Sequence, residues 1–448
     1  MKFLFLKYVK PIWYLNRRRV GSFDLVDYRL LADEEKQLVE YCSQYSEESA
    51  SLMDAALQLW YKGFIESNGD RCLSENGFSS NVFDNYRFLR RFFGPFWSWY
   101  TLFLRLCSLH NPVQELTAFI ANRNVKRLDV FKARKHYPDL EHGCSQGHGS
   151  EFVTVVIPTL NRYKYLVDVL RDLEKQEYRP FEVVVVDQSD KFDAEFYRQF
   201  GLDLHVVRQG EKALWKARND AIRKAKGDLI LLFDDDSRVD PDWIGRHVEC
   251  LKYFDADLSS GVSLSAVGAK IPQTYSYYKW SDQVDTGNVM VRKSAFYKVG
   301  LFDRQFEGQR MGDAEFGLRC YLRGLRNVSN PMAKRIHLKV SEGGLREMGS
   351  WDAFRPKKVL GPRPVPSVLY YFRKYYGRRL ACLALLRDIP LSTVPYRFKS
   401  RKPLVAIGAI AAVLMFPLTV FQMCLSWKKA TTKLRQGARI EYLESTAR

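Results

Sequence analysis

The sequence lacks the cysteine patterns that stabilise small domains through metals or disulfides. Its eight cysteines are scattered over 448 residues, and no two of them form a Cys-x-x-Cys pair. Regular cysteine spacing is typical of zinc sites and disulfide frameworks, so neither is expected here. We expect reduced thiols in a cytosolic compartment. At this length the chain can form two or three domains with sizeable hydrophobic cores.

Acidic residues are scarce in the last part of the chain. Residues 355–448 hold 19 lysines and arginines against three acids, which accounts for most of the net charge of +19. A basic segment of this kind indicates nucleic acid or anionic lipid as a partner.

Residues 403–427 contain no charged side chain, and this run decides between the two partners. Its length is sufficient to cross the ~30 Å hydrocarbon layer of a bilayer as a helix. Basic residues lie on both sides of it, where they would meet lipid phosphates. We therefore predict membrane lipids and no nucleic acid as partners, with a transmembrane or re-entrant helix at 403–427 and a basic tail at 428–448. A buried core helix is the alternative for this run.

Two further segments combine apolar and basic residues. Residues 346–402 are predicted to form a basic, aromatic, amphipathic segment, in which 368–386 suits a helix lying in the lipid headgroup layer. At the N-terminus, Lys7 and Lys10 interrupt the apolar residues, a pattern that predicts no signal peptide.

Residues 1–150 are predicted to form a mainly helical region of unknown role. Apolar residues recur every three or four positions in residues 50–64, as on one face of a helix. Residues 87–106 are strongly aromatic, and they either pack in a core or lie at an interface. The run 142–150 is rich in glycine and contains His142, Cys144 and His148; such a run forms a linker more often than a metal site.

From residue 151 onward, short β-branched runs alternate with helical stretches. The predicted strands are 152–158, 181–187, 204–209 and 228–234. This alternation favours a parallel α/β sheet, in which ligands bind beyond the carboxyl ends of the strands. The polar residues that follow these strands are Thr159 and Asn161, Asp187, and Asp234 to Asp236.

Three consecutive aspartates, Asp234 to Asp236, end an apolar strand. They repel one another unless a cation joins them, and hard divalent ions such as Mg²⁺ and Mn²⁺ accept such oxygen ligands. An ion held there would neutralise a diphosphate leaving group. Taken alone, the run fits an acidic turn before the next helix equally well.

The surrounding motifs resemble those of family 2 glycosyltransferases. They occur in the order PTLNRY (158–163), VVVVDQSD (183–190), GEKALWKARNDAIRKAKGD (210–228), LILLFDDDSRVDPDWI (229–244), VDTGNVMVRKSAFYKVGLFDRQF (284–306) and MGDAEFGLRCYLRG (311–324). Each motif is weak alone, but the ordered set is specific. The resemblance implies a GT-A fold at 151–345, an α/β sheet with helices on both faces. The mainly helical region would precede this domain, and membrane-associated helices would follow it.

The resemblance also implies a role for individual residues. Thr159, Asn161 and Asp187 match positions that hold the nucleotide base and ribose. Arg218 and Asn219 match an Ala-Arg-Asn signature beside the nucleotide. Asp234 and Asp236 match the two acids of the DxD motif, with Asp234 and Asp235 assigned to the sugar nucleotide. Asp236 and His337 are assigned to the metal, Mg²⁺ or Mn²⁺. Asp313 matches the catalytic base, and Gly287, Asn288 and Glu315 are assigned to the acceptor side.

Two positions depart from the family pattern. Gln188 stands where many members have a second aspartate, and Gly312 stands where a glutamate commonly precedes the base. Judged without the resemblance, Asp313 and Glu315 would be acids at a helix N-terminus, and His337 would be a structural histidine.

The implied reaction is an inverting transfer of one sugar from a nucleotide-sugar donor to a hydroxyl of a glycan or lipid-linked acceptor in the membrane or cell envelope. The Gln-x-x-Arg-Trp signature of processive synthases is absent, which favours a single addition. We expect the protein at the cell membrane with its catalytic domain on the cytoplasmic side. The alternative is a catalytically inactive membrane-bound scaffold that retains the fold.

Overall fold

The structure is a computed structural model that describes residues 3–21, 25–66, 69–73, 78, 80–142, 148–265, 273–340, 353–356, 358–392 and 414–444. The chain forms two compact units. We call Met1–His136 with Phe372–Ile410 the helical unit, and Tyr137–Tyr371 with Ala411–Arg448 the sheet unit. Cys144 of the predicted linker lies outside the described residues.

The helical unit confirms the predicted helical character of the N-terminal region. Its helices are α1 (Leu6–Val9), α2 (Asp33–Lys36), α3 (Glu48–Tyr61), α4 (Val82–Phe92), α5 (Pro95–Cys107) and α6 (Pro112–Ala121), with 3-10 turns at Tyr14–Asn16 and Tyr28–Leu30. Side chains cap two of the helix starts. Asn81 accepts from the N–H of Asp84, and Asn111 accepts from the first turn of α6, where Pro112 is pre-set for helix.

Helix α3 lies in the core of this unit. The periodicity of residues 50–64 predicts one apolar face, but residues 50–61 are all buried. The buried polar groups are paired, since Asp54 accepts from Arg91 Nε (2.8 Å) and from the Tyr45 hydroxyl (2.5 Å). Pairing of this kind is what makes a charge tolerable in a core.

The sheet unit contains the alternating strands and helices. The strands are β1 (His148–Thr159), β2 (Arg179–Asp187), β3 (Leu204–Arg208), β4 (Leu229–Phe233), β5 (Ser237–Val239), β6 (Leu258–Ser265), β7 (Lys279–Trp280), β8 (Asn288–Arg292) and β9 (Asn327–His337). The helices are α7 (Pro138–His142), α8 (Tyr163–Glu174), α9 (Ala194–Arg198), α10 (Leu214–Lys224), α11 (Trp243–Tyr253), α12 (Lys293–Val299) and α13 (Gly312–Leu322), with 3-10 turns at Gln273–Tyr275 and Arg304–Phe306.

The nine strands form one sheet in the order β3-β2-β1-β4-β8-β6-β9-β5, with β7 paired to β9. Strands β1 to β4 are mutually parallel, as predicted. The sheet becomes mixed beyond β4, because β8 runs antiparallel to both β4 and β6. Valine and leucine fill the parallel half, and residues 183–186 and 229–233 are buried, as expected for strands covered on both faces.

The strand ends bring the predicted polar residues to one edge of the sheet. Thr159 pairs in register with Asp187, so both lie at the carboxyl ends of their strands. Strand β4 runs parallel to β1 and ends at Phe233, which places Asp234 to Asp236 at the same edge. This edge is where an open α/β sheet binds ligands.

Two long helices occupy the C-terminal region. Helix α14 (Pro366–Ser392) is interrupted at Gly377, where φ is 76°, and helix α15 covers Phe416–Gln436. The N–H of Leu301 donates to the carbonyl of Glu441 (2.8 Å), and Lys433 Nζ donates to the carbonyl of Gln305 (2.6 Å). The residues predicted to form a basic tail are thus bound to the sheet unit as far as they are described.

No helix among the described residues is both long enough and apolar enough to span a membrane. Residues 403–413 of the predicted span lie outside the described residues, and α15 continues past the predicted end at 427. The prediction that residues 368–386 lie in a lipid headgroup layer is wrong for the first residues of this segment. Val368 to Tyr371 are buried in protein, and the Tyr370 hydroxyl donates to Asp303 (3.1 Å).

Candidate active site

A cleft of about 450 Å³ opens beyond the carboxyl ends of β1 and β4. Residues of loops and helix starts form most of its lining. The contributing segments are 158–162, 212–218, 234–236, 283–286 and 307–313, together with Arg335 and His337 of β9. The cleft therefore collects carboxylates and arginines from elements that are distant in sequence.

Asp234 lies between two arginines in this cleft. Its Oδ1 accepts from Arg218 Nη2 (2.9 Å), and its Oδ2 accepts from Arg335 Nη1 (2.8 Å). Both arginines are buried, so water screens these charges weakly. Burial alone would raise the pKa of Asp234, but the charges of Arg335 and Arg218 outweigh burial and hold the pKa well below its usual range. Asp234 is therefore an anion at any physiological pH.

Asp235 and Asp236 share a third arginine. Arg162 Nη1 lies 2.9 Å from Asp235 Oδ1 and 3.4 Å from Asp236 Oδ2. Thr159 Oγ1 also donates to Asp235 Oδ2 (2.8 Å). Burial raises the pKa of Asp235 to about 6, with Arg162 opposing the rise and Asp236 adding to it. The middle aspartate is thus bound to β1 and to Arg162.

Strand pairing places His337 beside Asp236. Ser237 of β5 is in register with His337 of β9, and His337 Nε2 lies 3.3 Å from Asp236 Oδ1. Burial raises the pKa of Asp236, but the hydrogen bond and charge of His337 together with the charge of Arg162 bring the pKa below its usual value. The histidine is therefore part of the cleft and contacts the last acid of the run.

Asp234, Asp236 and His337 meet a geometric requirement for a metal site. Each can offer one ligand atom, and these atoms lie within 4.8 Å of one another. Two carboxylates and one imidazole form a donor set that Mn²⁺ accepts, whereas Mg²⁺ prefers oxygen ligands alone. The three side chains fit the predicted divalent cation, and the imidazole favours Mn²⁺.

A second group of possible ligands, Glu182, Asp203 and His205, lies at the opposite ends of the strands. Lys226 Nζ lies 3.4 Å from Glu182 Oε2 and 3.0 Å from His205 Nε2. Asp203 and His205 are exposed, and none of the three residues lines the cleft, so we assign this group no metal.

Asp313 begins α13 on the wall formed by residues 307–313. The preceding backbone turns sharply, since Met311 has a φ of 81° in the left-handed region. A Cβ added at Gly312 would lie 2.3 Å from the Trp215 ring, so a glutamate at this position would require the ring to move. Burial raises the pKa of Asp313. The N–H of Ala314 donates a hydrogen bond to Asp313 Oδ1 (2.8 Å), which opposes this rise. A carboxylate with a raised pKa suits a general base.

Comparison with known proteins finds a family that matches part of the chain. Residues 154–298 match the family described as Glycosyl transferase family 2. The chain is 29% identical over 233 residues to a chondroitin synthase of Escherichia coli, covering 40% of this chain and 34% of the synthase. It is 32% identical over 180 residues to the glycosyltransferase GlyG of Streptococcus pneumoniae serotype 4, covering 39% of this chain and 54% of GlyG.

The chain contains a family 2 glycosyltransferase domain. It spans about a third of the length of the chondroitin synthase and about half of GlyG. Among solved structures, it is similar to Staphylococcus aureus TarS 1–349 in complex with UDP-GlcNAc. That similarity has a TM-score of 0.42 and 16% identity, and it covers 65% of this chain and 97% of the other.

The glycosyltransferase domain brings six of the predicted site residues into the lining of the cleft. These are Arg218, Asp234, Asp235, Asp236, Asp313 and His337. Gly287 lies directly behind them, since a Cβ there would be 2.0 Å from Arg335 Nη1 and 2.2 Å from Asp234 Oδ2. Glycine at 287 therefore allows the backbone to approach the Asp234–Arg335 ion pair.

Three predicted residues instead have buried structural partners. Glu315 is fully buried, and both of its oxygens accept from Arg319 Nε (3.0 and 2.9 Å), so it anchors α13 rather than facing an acceptor. Asn288 accepts from the Trp243 indole (2.9 Å) and donates to two backbone carbonyls. Asn219 exchanges two hydrogen bonds with the backbone of Phe302. The contacts that the structure gives for these three side chains are with protein, and the roles assigned to them by the resemblance stay predictions.

The residues assigned to the nucleotide base form a network beside β1 and β2. Asp187 accepts from the hydroxyls of Tyr163 (2.5 Å) and Tyr197 (2.7 Å). Asn161, with a φ of 55°, donates its side-chain amide to Asp190 (2.9 Å). Their roles toward the base and ribose stay predictions, as does that of Thr159, which donates to Asp235.

Gln188, the first departure from the family pattern, has a structural role. Its Oε1 accepts from the N–H of Ala213 (2.7 Å) and from Gln209 Nε2 (3.1 Å). The neutral amide thus ties the end of β2 to the segment that leads into α10.

Sequence reasoning missed six charged residues of the cleft lining, which are Arg162, Lys212, Asp285, Glu307, Arg310 and Arg335. Arg162 pairs with Asp235 and Asp236, while Arg335 bridges Asp234 and Asp285, with Nη2 2.9 Å from the latter. Arg335 stands two positions before His337, and residues so spaced share one face of a strand. That spacing is the signal that could have found it.

Proposed function

We propose that the protein is an inverting, metal-dependent glycosyltransferase. It transfers one sugar from a nucleotide-sugar donor to a hydroxyl of a membrane-linked or cell-envelope glycan. One observation supports this most directly: Asp313, a half-buried carboxyl with a raised pKa, lines the same cleft as Asp236 and His337. A proton acceptor, Asp313, and two possible ligands of a diphosphate-binding ion, Asp236 and His337, thus line the same cleft.

Asp313 would act on the acceptor. The attacking hydroxyl must lose its proton as it approaches the anomeric carbon, and a carboxylate within hydrogen-bond reach accepts that proton. Desolvation makes the carboxylate a stronger base than an exposed aspartate. The proton ends on the carboxyl of Asp313, and the acceptor oxygen forms the new glycosidic bond.

The other wall would hold the leaving nucleoside diphosphate. Asp234, Asp236 and His337 would hold the divalent ion, which when bound neutralises charge on the diphosphate. Arg162 and Arg218 line the same wall and would stabilise the negative charge that develops as the bond to the sugar breaks.

Ion pairing in the cleft favours a single displacement, which inverts the anomeric carbon. A double displacement requires a second carboxylate to attack the sugar. Among the described lining residues, Asp234, Asp235 and Asp285 are each bound to an arginine within 3 Å. That arrangement lowers their nucleophilicity. Of the other lining carboxylates, Asp236 is assigned to the metal and Glu307 accepts from the N–H groups of Trp215 and Lys216, which favours Asp313 as the base.

The place of the reaction is also part of the proposal. The uncharged run 403–427 and the basic residues around it support attachment to the cell membrane, with the domain on the cytoplasmic side. Similarity to a chondroitin synthase supports a glycan acceptor.

A donor survey tests the proposal. Detergent-purified full-length chain is offered UDP-, GDP- and dTDP-sugars with Mn²⁺, Mg²⁺ or EDTA, with and without membrane lipid extract, and nucleoside diphosphate release is measured. We expect metal-dependent release from one class of donor, increased by the lipid extract and greater with Mn²⁺. Absence of both release and metal-dependent binding for every donor would instead support the inactive scaffold.

A further inference from the structure

Helices α5 and α6 of the helical unit bury polar residues and expose large apolar ones. The buried residues of α5 include Ser98, Thr101 and Arg105. A helix that packs against a protein core normally has the opposite arrangement.

Buried charges hold this hairpin to the unit. Arg105 Nη2 pairs with Glu115 Oε1 of α6 (2.5 Å), and Glu115 Oε2 accepts from the Tyr86 hydroxyl (2.8 Å). The guanidinium of Arg105 also lies 4.2 Å from the centre of the Phe5 ring. The buried charges on the inner side of the hairpin are thus paired with protein groups.

The outer side is apolar and exposed. We call this surface the α5–α6 face, and it consists of Phe96 (69% exposed), Trp99 (60%), Phe103 (64%), Val113 (72%), Leu116 (42%) and Ile120 (52%). The residues follow helical spacing within each helix. The Trp99 ring lies 4.4 Å from that of Phe119, so it joins the outer side of α5 to α6. A continuous apolar surface of this kind marks an interaction site.

One end of the α5–α6 face is basic. Arg123, Lys126 and Arg127 follow α6 and are exposed. A Cβ at Gly94, just before α5, would lie 3.5 Å from Arg127 Cδ, which places this arginine beside the start of α5. Glu115, the one acid between residues 85 and 128, is buried. The exposed surface between those residues therefore carries charge of one sign only.

We propose that the α5–α6 face docks on the surface of a lipid bilayer that contains anionic lipid. Tryptophan, phenylalanine and aliphatic side chains would enter the boundary between headgroups and acyl chains, and the basic end would meet lipid phosphates. A second copy of the chain fits less well, because its identical face offers no acid to the basic end. The proposal gives the N-terminal region a role that is independent of residues 403–427 and of the transfer chemistry.

A fluorescent label on the face tests the proposal. Phe103→Cys is introduced into full-length chain whose exposed cysteines Cys107, Cys382 and Cys424 are changed to serine, and an environment-sensitive dye is attached. Phosphatidylcholine vesicles with about one third phosphatidylglycerol are then added. We expect a blue shift of the emission and quenching by brominated lipid. The matched control, Leu360→Cys at a site of similar exposure (66%), should show neither change.

The charge requirement is tested separately with Arg123→Gln/Arg127→Gln in the labelled chain. Loss of two juxtamembrane charges should weaken vesicle binding by about tenfold or more. A label at 103 that stays in water on vesicle-bound protein would overturn the proposal. So would a blue shift without vesicles that grows with protein concentration, which would identify a second copy as the occupant. None of these readouts requires activity, so failure here is distinct from failure of the proposed transfer.

Discussion

Arg335 donates to Asp234 through Nη1 (2.8 Å) and to Asp285 through Nη2 (2.9 Å), and its Nε donates to Ser263 (2.7 Å). A planar guanidinium can serve several acceptors at fixed angles, which a lysine ammonium cannot do. At the scale of single residues, the Arg335 guanidinium fixes the orientation of Asp234, the first of the three consecutive aspartates. Gly287 is the residue that leaves space for it.

Substituting Gly287 by alanine tests the close approach of the backbone at 287 to the Asp234–Arg335 ion pair. The new Cβ would lie 2.0 Å from Arg335 Nη1, so the ion pair with Asp234 must move. We expect nucleotide-sugar affinity to fall at least tenfold and stability to fall by about 1–3 kcal/mol, as for other overpacked sites. Calorimetric titration and urea denaturation measure the two effects. Gly210→Ala, where no atom lies within 4 Å of the added Cβ, should change neither, and equal behaviour of the two variants would refute the account.

The acid limb of the pH profile should report Asp313. Burial raises the pKa of this carboxyl, and a base works only when deprotonated. The kcat/KM value should therefore fall as pH falls through the raised pKa, beginning at a higher pH than an exposed aspartate would cause. Initial rates of diphosphate release between pH 4 and 9 measure this, with donor saturation checked at each pH. A flat profile down to pH 4 would contradict the assignment.

The sequence predicts some residues of the site better than others. Asp236 and Asp313 belong to the ordered motifs and His337 follows them in the chain, and the structure brings all three into the lining of one cleft. Arg162 could not be found, because its contacts with Asp235 and Asp236 join segments that are far apart in the chain. Arg335 could be found only through its spacing from His337 on one strand. Asp235, the middle one of the three aspartates, accepts a hydrogen bond from Thr159 and pairs with Arg162.

At the scale of secondary-structure elements, α13 is positioned from inside the domain. Glu315 pairs with Arg319 one turn later, and Arg319 donates to the carbonyl of Leu301 (2.9 Å). The start of α10 is held in a comparable way, since Glu307 accepts from the N–H groups of Trp215 (3.2 Å) and Lys216 (2.8 Å). Both helices that border the cleft are thus attached to the segment 300–311.

Glu315→Gln should separate stability from chemistry. Removing the charge leaves Arg319 buried without its ion pair, which typically costs about 3–5 kcal/mol. We expect a matching loss in urea denaturation while kcat of the folded protein changes by less than about threefold. Asp220→Asn, which breaks a partly exposed pair with Lys216, should cost about 1 kcal/mol or less. A large loss of kcat with unchanged stability would restore an acceptor role for Glu315.

The parallel half of the sheet was predictable because each of its strands is a short β-branched run followed by a helical pattern. The mixed half was not. Strand β8 inserts antiparallel between β4 and β6 although it follows both in sequence, and no local pattern encodes that order. The polar strand ends still predicted the cleft, because the parallel strands alone define its edge.

At the scale of the sheet unit, residues 439–441 near the C-terminus bind residues 301–304, which precede the cleft wall at 307–313. Asp303 Oδ1 accepts from the N–H of Arg439 (2.9 Å), and Leu301 donates to Glu441. A Cβ at Gly300 would lie 2.5 Å from Ile440 Cγ2. Composition alone shows a basic tail, and it cannot show that backbone groups bind it.

Removing residues 437–448 should therefore loosen residues 300–306. The loss of backbone hydrogen bonds should cost about 1–3 kcal/mol and increase amide exchange in that segment. Hydrogen exchange followed by mass spectrometry measures this directly. Arg439→Ala should leave exchange nearly unchanged, because the contacts at this position use its backbone N–H and carbonyl. Unchanged exchange after truncation would contradict the docking.

We propose that Asp313 removes the acceptor proton. Binding of the donor in the cleft should not depend on the Asp313 carboxylate. Asp313→Asn keeps the size of the side chain and removes its basicity. Donor affinity should stay within about threefold of wild type, and turnover should fall roughly 10²- to 10⁴-fold. Asp255→Asn, at a side chain that is 82% exposed, should match wild type in both measurements. Diphosphate release by Asp313→Asn at the wild-type rate, with acceptor present, would contradict the account.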